Sequence, residues 1–145
     1  MALAANTVTP RPPLNLFEVE RRQISGSAFV QLLEVPGYFV PANGPINAKT
    51  VNAAAIMTGL VITNVHNATI RASARIQGVN DEYYTMVNLA PIPPNDFLIV
   101  KFDRQVMKTG EILEVATPQN STNAVHAHVH FTYILNQREE FTIIP

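Results

Sequence analysis

The sequence predicts an all-β protein: an antiparallel β-sandwich, jelly-roll-like or Ig-like, of about seven to nine strands. Three observations carry that reading. Short runs rich in valine, isoleucine, threonine and aromatic residues recur along the chain, with turn signals at about 8–12-residue spacing. Apolar and polar residues alternate with period two, most cleanly in Thr69–Gln77, where Ile70, Ala72, Ala74 and Ile76 oppose Arg71, Ser73 and Arg75. Proline and glycine punctuate the chain at Pro36-Gly37, at Pro41 to Pro45 and at Pro91 to Pro94, and so break it into short pieces.

The elements follow in order. Residues 1–15 hold Pro10, Pro12 and Pro13 among small and polar neighbours. Proline fixes φ and removes a donor, so this stretch is expected to be an extended arm ahead of a single domain at 16–145. A solvated tail and an arm laid along a neighbouring subunit both fit, although Leu14, Leu16 and Phe17 are poor choices for a tail. Leu16–Gln23 suits an early strand or a single helical turn. Ser25-Gly26-Ser27 breaks the chain, and Ala28–Val35 is rich in β-formers up to the Pro36-Gly37 turn. Tyr38-Phe39-Val40 is a short extended piece before the loop Pro41–Pro45.

Asn47–Ala55 is ambiguous. Ala48, Val51, Ala54 and Ala55 recur at helical spacing, so a short helix or a loop both fit. After Met57 the pattern turns to strands. In Gly59–Asn64, Leu60 and Ile62 face one way and Val61 and Thr63 the other. Gly78–Asp81 supplies a turn before Tyr83–Val87. Ala90–Asp96 carries Pro91, Pro93 and Pro94 and cannot be a central strand; it reads as a sheet-edge bend or crossover that delivers Phe97–Val100. Lys108–Glu111 turns into Ile112–Val115, and Thr117–Asn123 is an exposed polar loop. Ala124–Leu135 is the longest expected strand, with Phe141–Ile144 a candidate for one more.

Composition narrows the function. Charged residues make up only 14% of the 145, where roughly a quarter is usual, and 47% are hydrophobic. So little charge suits a subunit that covers much of its surface with neighbours. The formal net charge of −1 and the scattered cations argue against a basic nucleic-acid-binding domain. With no cysteine there is no disulfide, no thiolate metal site and no cysteine nucleophile. The N-terminus lacks the pattern of a signal peptide, and no apolar run approaches the roughly 18 residues of a membrane span, so no membrane partner is expected.

One constellation invites chemistry. In Val125–Phe131 the residues His126, His128 and His130 share one strand face, where imidazoles on successive same-face positions can converge on a metal. The alternative is a polar strand face filled by histidine; no carboxylate or cysteine lies nearby in sequence to complete a ligand set. The serines lack a G-x-S-x-G setting, the paired acids Asp81-Glu82 and Glu139-Glu140 diverge in an extended chain, and the six glycines form no phosphate-binding loop. No catalytic residue and no cofactor are expected.

The stretch Thr58–Ala116 resembles small β-sandwich proteins of tailed-bacteriophage particles. An apolar strand ends in Thr63-Asn64, and the hairpin segment Ala68–Ile76 follows. Then come the aromatic strand Tyr83–Asn88, the proline-rich step Ala90–Pro94, the strand Phe97–Val100 and the turn Lys108–Glu111 before Ile112–Val115. Glu111 stands where an aspartate would be expected. The resemblance implies a structural role in a neck, collar, tail, baseplate or capsid decoration, and no functional residue carries over.

The expected function is therefore that of a non-catalytic virion subunit that self-associates and docks on other virion structural proteins. Its location would be the virion, assembled in the host cytoplasm. The expected oligomer interface comprises Pro10, Pro12, Pro13, Leu14, Leu16, Phe17, Tyr38 and Phe39. Two alternatives stand beside it. One is a carbohydrate- or receptor-binding sandwich using Thr117–Asn123 and Tyr83 or Tyr84, weakened by the absence of tryptophan. The other is a metal-dependent barrel enzyme built on His126, His128 and His130.

Overall fold

The structure is a computed structural model and describes residues 14–40, 46–103, 105–118 and 125–143. Ten strands are described: β1 (Leu14–Ser25), β2 (Val30–Glu34), β3 (Gly37–Val40), β4 (Ile46–Asn64), β5 (Ile70–Gln77), β6 (Tyr83–Ile92), β7 (Phe97–Lys101), β8 (Val106–Lys108), β9 (Ile112–Ala116) and β10 (Val125–Ile143). One sheet runs β1-β10-β4 and then, along the far side of β4, three short strands end to end. β3 lies opposite residues 49–52, β8 opposite 54–56 and β7 opposite 59–63. The second sheet runs β2-β9-β5-β6.

If the three short strands count as one position, each sheet is four positions wide. The first position then pairs with the last (β1 with β10), and the second with the seventh (β2 with β9). The third pairs with the sixth (β4 with β7 and β8), and the fourth with the fifth (β5 with β6), always antiparallel. This is one long hairpin rolled over on itself, the winding of a jelly roll; an Ig sandwich orders its strands differently. Of the two expected sandwich types, the jelly roll is the one that forms. Ten segments on eight positions also explain why counting strands from the sequence gave a smaller number.

Side chains alternate about this frame as half-buried strands require. From β10, Ala127, Val129, Phe131, Tyr133 and Leu135 point inward; β4 adds Ala53, Ala55, Met57, Leu60 and Ile62. The facing sheet returns Leu33, Ile70, Ala72, Ala74, Leu113 and Val115. Phe131 stacks on Tyr133 at 5.1 Å between ring centroids and meets Phe102 edge-on. The alternation expected for β5 holds with one local change. Ser73 is buried because its Oγ accepts the Leu89 N–H at 2.9 Å, where the β5–β6 register shifts.

Asn47–Ala55 is strand throughout, not a helix or loop. Its backbone is paired on one side by β10 and on the other by β3 and β8, and such a ladder outweighs the modest helical preference of alanine. Leu16–Gln23 belongs to β1, and Phe141–Ile143 continues β10 without a break into a separate strand. Pro91 lies on β6, an edge strand, as its missing donor demands.

The segmented side of β4 is sealed at its joints. Between β3 and β8, Ala53 has no strand opposite it. Thr109 fills the gap: its Oγ1 accepts the Ala53 N–H at 3.0 Å and lies 2.9 Å from Ala53 O and 3.2 Å from Pro36 O, to one of which it donates. Between β8 and β7, Met57 N–H donates to Gln105 O at 2.9 Å. Thr109 sits in the expected Lys108–Glu111 turn, which Gly110 closes at a φ of +86°. The turn is bound to the end of β2 through Gly110 N–H to Val35 O and Val35 N–H to Glu111 O. A Cβ on Gly37 would overlap Thr109 Cγ2, so only glycine fits there.

Candidate functional site

Directly paired residues in an antiparallel sheet point to the same face. The outward face of the six-stranded sheet therefore reads off the register in five rows, each running from β1 through β10 and β4 to β7 or β8. They are Gln23-His128-Thr63-Phe97, Arg21-His130-Val61-Ile99, Val19-Thr132-Gly59-Lys101, Phe17-Ile134-Ile56-Val106 and Asn15-Asn136-Ala54-Lys108. The fourth row is apolar from edge to edge. Phe17 is 84% exposed, Phe97 55%, Val106 51% and Ile99 50%, so these large side chains face outward with nothing described above them. Arg21, Lys101 and Lys108 lie toward the two edges, and the rows contain no carboxylate.

Of the expected interface residues, Phe17 stands on this face. Leu16, its neighbour, points the other way and packs half-buried against the core. Leu14 opens β1, Tyr38 and Phe39 lie on β3, and Pro10, Pro12 and Pro13 fall outside the described residues. Sequence reasoning missed Ile56, Val61, Phe97, Ile99, Val106 and Ile134. A signal was present in Phe97-Leu98-Ile99-Val100: an unbroken apolar run implies that both faces of a strand are to be covered, and here the sandwich covers only one.

The three histidines fare differently from one another. His126 is fully buried at the end of the sandwich, its ring edge-on to His66 at 5.2 Å, under the connection after β4 whose Val65 N–H donates to His126 O. His128 and His130 are on the outward face, where Arg21 Nε donates to His130 Nδ1 at 3.2 Å. That guanidinium is a like-charged neighbour for any cation arriving there. Among the described residues no three histidine or carboxylate side chains are grouped to hold a metal ion. The cleft lined by Arg21, Arg22, Gln23, His128, Val129 and His130 measures about 210 Å³, smaller than the roughly 300–1,000 Å³ of small-molecule sites.

The connection after β4 is held by Asn64, which is buried. Its Nδ2 donates to Ile92 O at 2.8 Å and to Ala68 O at 2.9 Å, and its Oδ1 accepts His66 N–H at 2.7 Å. One side chain thus fixes the end of β4 to the end of β6 in the other sheet.

The outward face of the four-stranded sheet mixes polar residues with a few apolar ones, Ile112 and Tyr83 among them. Gln31, Glu114, Arg75 and Thr85 form one of its rows. The Arg75 guanidinium carbon lies over the Phe29 ring, 3.7 Å from its centroid, and over Tyr83 at 4.1 Å, and the guanidinium pairs with Glu114 at 3.4 Å. Tyr83, weighed for sugar stacking, therefore has its ring engaged by the guanidinium; Tyr84 is exposed. Of the loop Thr117–Asn123, Thr117 is buried, Pro118 is exposed and 119–123 lie outside the described residues. On the core side, burial and the Glu20 carboxylate, 3.3 Å from the hydroxyl, push the Tyr133 phenol up to about 12.

No family model matches the sequence, and no curated protein matches it. By structure the chain is similar to a chain of infectious bursal disease virus, Gx strain, at a TM-score of 0.42 and 12% identity, over 91% of this chain and 38% of that one. The Gt strain of that virus gives a TM-score of 0.42 at 10% identity, over 91% of this chain and 37% of that one. The VP2 subviral particle of the same virus gives 0.39 at 10% identity, over 93% and 39%. The chain spans less than two fifths of the length of these structures.

Proposed function

We propose that this protein is a structural subunit of a virus particle, of the tailed-bacteriophage kind its sequence resembles, and that it works by self-association and docking without catalysis. The observation that carries the proposal is the uncovered apolar face of the six-stranded sheet. A large apolar side chain such as Phe17 or Val106 gains about 1.5–3 kcal/mol when fully buried, and the fold leaves a full row of them outside its own core. Contiguous exposed apolar surface of this kind marks an association site. The low charge of the chain supports the same reading. The jelly-roll winding is compatible with it, although this architecture also serves lectins and cupins and does not by itself assign a role.

The subunit would act in the virion, assembled in the host cytoplasm, as part of a neck, tail, baseplate or capsid decoration, with other virion structural proteins as neighbours. The test is a mass-spectrometric inventory of purified particles together with light scattering of the isolated protein. Presence in particles at a fixed copy number is the expected result. A protein that is absent from particles and stays monomeric at high concentration would overturn the proposal.

A further inference from the structure

We propose that the occupant of the apolar face is a second copy of this chain, packed sheet to sheet about a two-fold axis that runs parallel to the strands between β10 and β4. This rests on the subunit role proposed above and names the surface and the partner. Three features of the five rows lead to it.

The first is area. Rows on one face are about 6.8 Å apart and strands about 4.8 Å apart, so five rows across four positions cover on the order of 600 Å² in plane. With side-chain relief this approaches the ~800 Å² per partner of a standard stable interface.

The second is the placement of charge. A two-fold axis along the strands lays the β1 column of one copy over the β7–β8 column of the other, row on row. Arg21 then meets Ile99, Lys101 meets Val19 and Lys108 meets Asn15, so no cation meets a cation. The methylene stem of Lys101 can lie along apolar neighbours while its head reaches the rim, and the Arg21 guanidinium stays engaged with His130. An axis across the strands would instead lay each column on its own counterpart: centred on the third row it sets Lys101 on Lys101, and centred on the fourth it sets Lys101 on Lys108, with no carboxylate in the rows to separate them.

The third is self-complementarity, which a two-fold interface requires. In the same arrangement Phe17 meets Val106, and Ile134 meets Ile56 at the axis. The edge-to-edge apolar row thus packs on itself, with small Gly59 opposite Thr132 one row away. The partner strands remain aligned, as face-packed sheets prefer.

The chain has no cysteine, so the geometry can be probed with introduced thiols. Phe17→Cys and Val106→Cys sit at opposite ends of one row, too far apart to react within a chain. In the dimer they face each other across the ~10 Å that separates stacked sheets. A bis-maleimide of about that span should cross-link the double variant into dimers, and either single variant at least tenfold less. In light scattering the wild type should be a dimer at micromolar concentration, and Ile99→Glu with Val106→Glu a folded monomer by circular dichroism. Tyr84→Glu, on the other sheet, should remain dimeric.

A dimer that survives both glutamates, or single-thiol variants that cross-link as well as the double, overturns this interface. A wild type that is monomeric yet present in particles overturns the interface and leaves the subunit role standing. A dimer of the stated geometry that is absent from particles does the reverse.

Discussion

Replacing Asn64 by alanine removes three side-chain hydrogen bonds at once, two donated by Nδ2 to Ile92 O and Ala68 O and one accepted by Oδ1 from His66 N–H. Each is worth about 0.5–1.5 kcal/mol net, and a buried carbonyl left without a donor costs about 1–3 kcal/mol. Ile92 O is the buried one of the two acceptors; Ala68 O is partly open and can turn to water. The expected loss is therefore about 2–4 kcal/mol, read as a lower urea midpoint with an unchanged m-value. Asn64→Asp sharpens the test. It keeps the acceptor for His66 N–H but sets an anion within about 3 Å of two carbonyl oxygens, so at pH 7 it should lose more than alanine does. The buried carboxyl would titrate above its ordinary value. A group with a raised folded pKa contributes stability below its unfolded pKa and loses it as pH rises, so this variant should recover partly below pH ~4. A change under about 0.5 kcal/mol for alanine, or an aspartate variant equal to alanine at every pH, would refute the role given to Asn64.

Other outcomes follow from sites already described. Thr109→Val keeps the shape but removes the hydroxyl at the joint between β3 and β8; it should cost about 1–3 kcal/mol and speed amide exchange at Ala53, checked by melting and exchange NMR. Arg75→Lys keeps the charge but loses the guanidinium contact with Phe29 and Tyr83, and should cost about 0.5–1.5 kcal/mol by urea titration, with Arg75→Ala costing more. With the Tyr133 phenol at about 12 in the fold against about 10 unfolded, stability should be intact below pH 10 and fall as pH rises toward 12. Tyr133→Phe should flatten that alkaline decline, measured by thermal melts across the same window.

How far the fold could be read from the sequence depended on where each strand lies. The second half of β4 and, apart from Ser73, β5 alternate because one face is core and the other is not, so Leu60, Ile62, Ile70 and Ala74 were assignable on sight. The first half of β4 was not, because Ala48 to Ala55 carries small residues whose intrinsic preference is helical and whose strand state is imposed by partners remote in sequence. Pro91 declared an edge; nothing local declared which strand that edge belonged to. His126 kept the expected period yet was buried, because its cover comes from His66 and Val65, sixty residues away in the chain. Apart from the run Phe97–Val100, the outward apolar rows gave no local signal, for a related reason. Residues such as Ile56, Ile99 and Ile134 look like core in the sequence, and only the register shows that they lie on the side the sandwich does not close.

The sealed but segmented side of β4 bears on how the molecule can change without coming apart. β10 holds β4 along nearly its whole length as one ladder, whereas the opposite side is held by pieces of three to five residues. A piece that short carries only a few ladder bonds, so β3 or β8 can open alone at a fraction of the global unfolding free energy. Its two joints are held by one hydroxyl and one backbone bond. Those joints are accordingly where inserted sequence would be absorbed with least damage to either sheet.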